Sequence, residues 1–260
     1  MKLFKISVIL FFVSTFAQQV FSQSKRSTFY EIKIYYLKNQ EQEELVDNYL
    51  KNAYLPALNR NGVKNIGVFK PVGNDTSQNK RIYVLIPFKS PKQFVDFPDR
   101  LIKDKQHREN GKDYLDAAYN KTPYKRIESI FLKAFKDMPG LQVPALKSEP
   151  QERIYELSSY AAHTEKIHQN KVHMFNEGGE IGIFKRLGFN AIFYGSVLSG
   201  SHMPNLMYRT SFEDKASRDT HWKAFGADAE WKKLSSIQSY KNNVSKADVL
   251  LLHPTEYSGI

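Results

Sequence analysis

Cysteine is absent from the 260 residues. Thiol nucleophiles, thiolate metal centres, disulfides and a lipidated cysteine are therefore excluded. Also missing are a Gly-rich phosphate loop, a Gly-x-Ser-x-Gly elbow and a His-Glu-x-x-His helix, which argues against nucleotide-driven chemistry, common serine hydrolysis and zincin proteolysis. Long apolar runs are scarce. The run Ile6 to Ala17 follows Lys2 and Lys5 and precedes Val20-Phe21-Ser22; it falls short of the roughly 20 residues that cross a bilayer. This is the pattern of a cleaved signal peptide over residues 1–22. It predicts a periplasmic or extracellular protein with no stable membrane insertion after cleavage. A mature chain of 260 − 22 = 238 residues must then hold its fold by core packing alone.

Negative charge is the scarcer sign: 38 Lys and Arg stand against 27 Asp and Glu, a net charge of +11. The excess lies in the first half, where residues 23–140 hold 22 basic and 14 acidic residues against 14 and 13 in residues 141–260. Between Arg100 and Arg126 the basic residues are interleaved with Asp104, Glu109, Asp113 and Asp116. That mixture reads as a solvated helical face rather than a phosphate track, and no nucleic-acid partner is expected.

What is present is a duplication. Phe29 to Tyr36 alternates and is rich in aromatic and β-branched residues, the pattern of a strand. A second such stretch starts at Ile154, with Tyr30-Glu31 and Tyr155-Glu156 lying 125 residues apart. At the same offset Phe69 meets Tyr194, and at 124 Ile82 to Phe88 meets Leu206 to Phe212. Between the first two strands Val46, Leu50, Ala53 and Ala57 make a helical stripe, opened by Asn39 with Gln42 as a capping box and kinked or broken at Pro56. Ser90-Pro91-Lys92-Gln93 opens a second helix. Arg126 to Phe135 and Val244 to Leu252 supply the closing strands, and Gly178-Gly179 interrupts the first helix of the second copy. Each copy reads β-α-β-β-α-β. The fold class is thus α+β, with two copies available to cover each other's open sheet face.

Tyr30-Glu31-Ile32-Lys33-Ile34-Tyr35, Tyr54-Leu55-Pro56-Ala57-Leu58 leading into Gly62-Val63, Val68-Phe69, His221-Trp222-Lys223-Ala224-Phe225 and Glu230-Trp231 resemble a NIPSNAP-family protein with two NIPSNAP-like domains. The resemblance implies tandem ferredoxin-like domains, residues 23–138 and 152–260 around a Pro-rich linker at 139–151, forming a dimeric α+β barrel. Whether that barrel closes within one chain or in a homodimer is open. Relatives with this barrel include cofactor-independent monooxygenases and haem-handling proteins, so the resemblance implies little specific chemistry.

Strand alternation nominates the site. If Tyr30, Ile32 and Ile34 pack on the helices, then Glu31, Lys33 and Tyr35 line the barrel, with Glu156, Ser158 and Tyr160 as their counterparts. Arg209 falls on the side opposite Phe212 and is expected to pair with Glu156 across strands. An ion pair, a ligand-orienting cluster and a catalytic carboxylate all fit this set. Trp222, Phe225 and Trp231 read as helix residues covering the sheet. His163, His168 and His173 recur every five residues, which spreads them around a helix instead of converging them on a metal; His173 and His221 are candidates for a lone ligand, and no metal or cofactor site is assigned. The expected function is binding of a small carbohydrate or aromatic molecule in or near the barrel. The alternative is a cofactor-independent enzyme of monooxygenase, isomerase or lyase type using Glu156, Tyr160 and Arg209.

Overall fold

The computed structural model describes residues 28–260, and the signal-peptide expectation lies outside them. β1 (Phe29–Tyr36) leads into α1 (Gln40–Tyr49), where the Asn39 carboxamide accepts the Gln42 N–H and the Gln42 side chain accepts the Lys38 N–H at 2.7 Å. Proline cannot donate to the carbonyl one turn back. The helix answers by widening into a π-type turn over Leu50–Tyr54, with the Leu55 N–H on the Leu50 carbonyl, then resuming as α2 (Leu55–Arg60). It neither breaks nor ends at Pro56. β2 (Gly67–Pro71) and β3 (Arg81–Phe88) follow. Next come α3 (Pro91–Lys103), capped by Ser90, α4 (Lys105–Asn110), α5 (Lys112–Leu115) and β4 (Arg126–Ala134).

The second half repeats the order. β5 (Ile154–Ala161) leads to α6 (Glu165–Phe175) and α7 (Glu180–Arg186), parted at Gly179, whose φ of 85° is left-handed. Then come β6 (Asn190–Ser199), β7 (Asn205–Phe212), α8 (Lys215–Ala227), α9 (Ala229–Ser236) and β8 (Lys246–Pro254). No helix among the described residues is long and apolar enough to cross a membrane.

The eight strands close into one antiparallel barrel within the single chain, in the order β1-β3-β2-β8-β5-β7-β6-β4. Each half supplies four neighbouring strands, and β2·β8 and β4·β6 are the seams between halves. Three apolar clusters follow from this closure. One fills the barrel with residues of both halves, including Tyr30, Ile32, Ile34, Phe69, Leu85, Tyr155, Leu157, Phe193 and Met207. The other two lie between the sheet and each half's helices, around Tyr35, Val84 and Tyr54 and around Phe184, Tyr208 and Phe225.

The faces of β1 and β5 are therefore the reverse of the expected ones. Tyr30, Ile32 and Ile34 line the barrel; Glu31, Lys33 and Tyr35 face the helices, as do Glu156, Ser158 and Tyr160 of the second half. The reason is pairing. A buried charge needs partners, and the helix-covered face supplies them, Arg218 and Trp222 of α8 for Glu156 and Tyr54 for Lys33.

One end of the barrel is closed. Gln142 N–H donates to the Ile192 carbonyl, and Leu141 and Leu146 pack on the barrel cluster. Ile260 packs there too, against Gly67, where an added Cβ would stand 2.8 Å from the Ile260 side chain.

Candidate functional site

The opposite end of the barrel is open. Inward-facing residues near the ends of six strands surround a cavity of about 420 Å³, within the range of small-molecule sites. Its walls are Ile34, Tyr83, Ile130, Leu157, Met207 and Leu250, and its rim carries Tyr36, Arg81, Glu128, Ser159, Asn205 and Asp248. The apolar wall and polar rim follow from strand alternation. Apart from Arg209, inward positions toward the centre are hydrophobic, and they become polar within two residues of the strand end.

The rim is partly organised. Tyr36 donates its hydroxyl to Glu128 Oε2 at 2.5 Å, Ser201 donates to Glu128 Oε1, and the Arg81 guanidinium lies 4.9 Å from the centre of the Tyr36 ring. Burial, with the Glu128 bond next, pushes the Tyr36 hydroxyl up to about 12, so it stays protonated. Asn205 Nδ2 donates to Ser159 Oγ at 2.8 Å, and Asn205 Oδ1 is a buried acceptor with no partner. His202 enters the rim from a left-handed conformation, φ 62°.

Arg209 lies one layer deeper. It stands beside Leu157 across the β5·β7 ladder and two residues below Met207 on the inner face of β7. It is 0% exposed. Its guanidinium carbon sits 4.1 Å from the Phe69 ring centre on β2, and none of its three nitrogens has a hydrogen-bond partner. Burial pulls its pKa down to about 9, against the raising influence of Tyr155 and Tyr83. Below that value the group is charged.

Of the residues nominated from sequence, Arg209 alone faces the barrel interior. Its expected pairing with Glu156 does not form, because β5 turns Glu156 outward. There Oε2 accepts from Arg218 Nε at 2.6 Å and Trp222 Nε1 at 3.0 Å, both on α8. Glu31 Oε1 accepts from Ser129 at 2.8 Å and lies 3.7 Å from Lys33. Burial opposes the Lys33 charge, but Tyr54 and Glu31 outweigh it and hold the ammonium above its ordinary pKa. Tyr35 is pushed well up by burial. The Tyr160 hydroxyl shares a 2.7 Å bond with Tyr208 and is pushed up by burial to about 12. Lys33 and Glu156 thus join helices to the sheet, whereas the Glu31 and Tyr160 bonds run between strands. His173 bonds Tyr240, and His221 bonds the Ser217 carbonyl. Among the described residues no three His, Asp or Glu side chains converge as a metal site would need.

A surface groove of about 590 Å³ beside α1 is lined by Asp47, Lys70, His253 and Tyr257. Those groups already have partners: Lys70 on Glu43 and Asp47, Tyr257 on Asp47, His253 on the Arg153 carbonyl. The Thr255 hydroxyl of the groove lacks a partner; the barrel end differs in setting its unpartnered Asn205 Oδ1 above a wall of apolar inward side chains. Sequence reasoning missed its rim, although Tyr36, Glu128 and Asp248 each stand within two residues of a strand terminus. Arg218 was missed as well, and its position four residues before Trp222 puts both on one helical face.

The NIPSNAP family model matches residues 155–259. No curated protein sequence matches the chain. Among solved structures, a presumed monooxygenase from Lactobacillus acidophilus is 13% identical, with a TM-score of 0.57 over 88% of this chain and 94% of that one. A presumed monooxygenase from Fusobacterium nucleatum is 8% identical, TM-score 0.57, over 88% and 92%. A NIPSNAP family protein from Agrobacterium tumefaciens is 19% identical over 45% of this chain and 98% of its own, TM-score 0.37. At such identities the first two likenesses establish the α+β barrel fold alone.

Proposed function

Taking the chain as a member of the NIPSNAP family, we propose that it binds a small aromatic or carbohydrate molecule in the open end of its barrel. Each half is read as a ferredoxin-like unit, residues 23–138 and 152–260, with 139–151 as linker, so that one chain does the work of a dimer. The signal-peptide pattern at residues 1–22 supports a periplasmic or extracellular setting for this binding.

The observation that carries the reading is the cavity itself. It has apolar walls for a ring, rim groups for hydroxyls, and an unpartnered acceptor at Asn205 Oδ1. A buried acceptor without a donor costs about 1–3 kcal/mol, a penalty that a ligand hydroxyl would relieve. Melting curves of residues 23–260 against a panel of sugars, phenols, aromatic acids and a porphyrin test this. At a hundredfold excess over Kd an occupant adds about 2.7 kcal/mol of stability, and Leu157→Trp, which fills the cavity, should abolish the shift. No shift with any compound would count decisively against binding.

A cofactor-free enzyme is the second reading, favoured by the Tyr36 and Glu128 pair bordering the cavity. Glu128 would serve as general base and Tyr36 as its orienting donor. Incubating each bound aromatic in air and weighing the product decides it, since unchanged mass throughout, together with no isomer on chromatography, would sink catalysis.

A further inference from the structure

We propose that Arg209 anchors the acidic group of the barrel's ligand, which makes that ligand a small organic oxyanion, a carboxylate on an aromatic or apolar body. This deepens the reading of the open barrel end as a ligand site and rests on it.

The first ground is the missing partner. Burying an unpaired charge is among the costliest things a fold can do, and such groups are normally paired. The other buried charges among the described residues follow that rule: Glu31 meets Lys33, Glu43 meets Lys70 and Lys80, Lys171 meets Glu180, and Glu156 meets Arg218. Arg209 breaks it with all three nitrogens free.

The second ground is that the barrel does not need the cation for packing. The halves are offset by 124 residues along β3 and β7, so Leu85 is the counterpart of Arg209, and Leu85 fills its place as an ordinary buried side chain. The third is geometry. Phe69 covers one face of the guanidinium, leaving the edges, where the N–H groups point, available for bidentate contact with a planar carboxylate. Surrounding apolar side chains exclude water and strengthen that contact.

Depth also fits. Leu157, beside Arg209, and Tyr83, which faces its charge, both line the cavity. Met207 stands between Arg209 and the open end on the same strand face. Its unbranched thioether chain is the kind that rearranges at low cost. A carboxylate entering ring-last would displace Met207 and meet the guanidinium, leaving the ring between Leu157, Ile130 and Leu250.

The test is calorimetric titration of the full chain with benzoate, benzyl alcohol and inorganic phosphate, repeated on Arg209→Met, Arg209→Gln and Ser159→Trp. Two Arg209 variants are used so that a folding failure of one leaves the other, and melting curves identify the folded ones. Benzoate should bind about tenfold or more tightly than benzyl alcohol, as a charge-assisted bidentate contact requires. Both Arg209 variants should erase that preference while keeping benzyl alcohol affinity, and Ser159→Trp should lose both ligands. Equal affinity for the two, or a preference that survives both Arg209 variants, overturns the anchor and leaves the cavity reading standing. Phosphate binding as tightly as benzoate overturns the organic ligand and makes Arg209 an inorganic-anion site. Binding of neither ring compound, or binding unaffected by Ser159→Trp, overturns the cavity reading and the anchor with it.

Discussion

The two halves share a frame and differ where they face each other. On β3 the central inward residue is Leu85; on β7 it is Arg209. Next to Leu85 stands Gly67 of β2, while next to Arg209 stands Phe193 of β6. One layer toward the open end the sizes reverse, with Phe69 beside Tyr83 and Gly195 beside Met207. Large meets small across the lumen, and the Phe69 ring fills the space that Arg209 lies over. A barrel of two identical halves would present every such residue twice and would crowd or void its centre. Because both walls belong to one chain, they need not be identical: here their inner faces are complementary in size, and one of them carries a single cation.

Making the walls alike should be the most damaging change. Leu85→Arg places a second unpaired guanidinium in the same closed lumen and should cost about 5 kcal/mol or more, seen as loss of the cooperative urea transition. The helix-covered faces differ as well. In the first half Glu43, 0% exposed, is held by Lys70 at 2.7 Å and Lys80 at 3.0 Å. Glu43→Ala takes the carboxylate from buried Lys80, while Lys70 keeps Asp47, and should cost about 3 kcal/mol in the same assay. Gly67→Ala tests the complementary sizes, since its Cβ would stand 2.4 Å from the Phe69 ring. Overpacking of this kind costs about 1–3 kcal/mol, and Phe69→Leu beside it should recover part of the loss.

The smallest effect is one of pH, and its sign differs between halves. Burial by itself would raise the Glu43 pKa, but bonds from Lys70 and Lys80 outweigh it and hold the carboxyl below 4.5. A depressed carboxylate stabilises the fold above its unfolded value, and that contribution is lost as pH falls through the folded one. Burial raises Glu180 above 4.5 despite Lys171. Its contribution is full below the unfolded pKa and is lost as pH rises through the folded value. Stability curves for Glu43→Gln should flatten on the acid side of 4.5, and those for Glu180→Gln on the other side. Parallel slopes for the two variants would contradict the contrast.

Much of the fold was legible because local chemistry wrote it. The Asn39 and Ser90 caps, the strand alternation at Phe29 to Tyr36 and the order of the repeat all stand in the structure. Facing was not legible. In a barrel both sheet faces are buried, so apolar alternation says that a strand has two faces but not which one meets helices. The choice fell on the wrong side for Glu31, Lys33, Tyr35, Glu156 and Tyr160. The match of Phe69 with Tyr194 was out of phase too. A register shift in β6 between Ala191 and Phe193 turns Tyr194 toward the helices, and a bulge cannot be read from spacing alone. Arg209 was placed correctly inside, because its alternation with Phe212 did not depend on that choice.

The seam between β2 and β8 reaches beyond the finished barrel, to the time at which it can exist. Phe69 pairs with Pro254 and Lys70 with His253, so a strand made early must wait for the last described strand before its outer edge is paired. During synthesis at roughly 5–20 residues per second that delay is on the order of ten seconds or more, with an open β edge available to the wrong neighbour. Such long-range pairing slows folding. The same covalent join that makes the two walls complementary therefore gives the nascent chain a vulnerable interval, in which a chaperone would have its use.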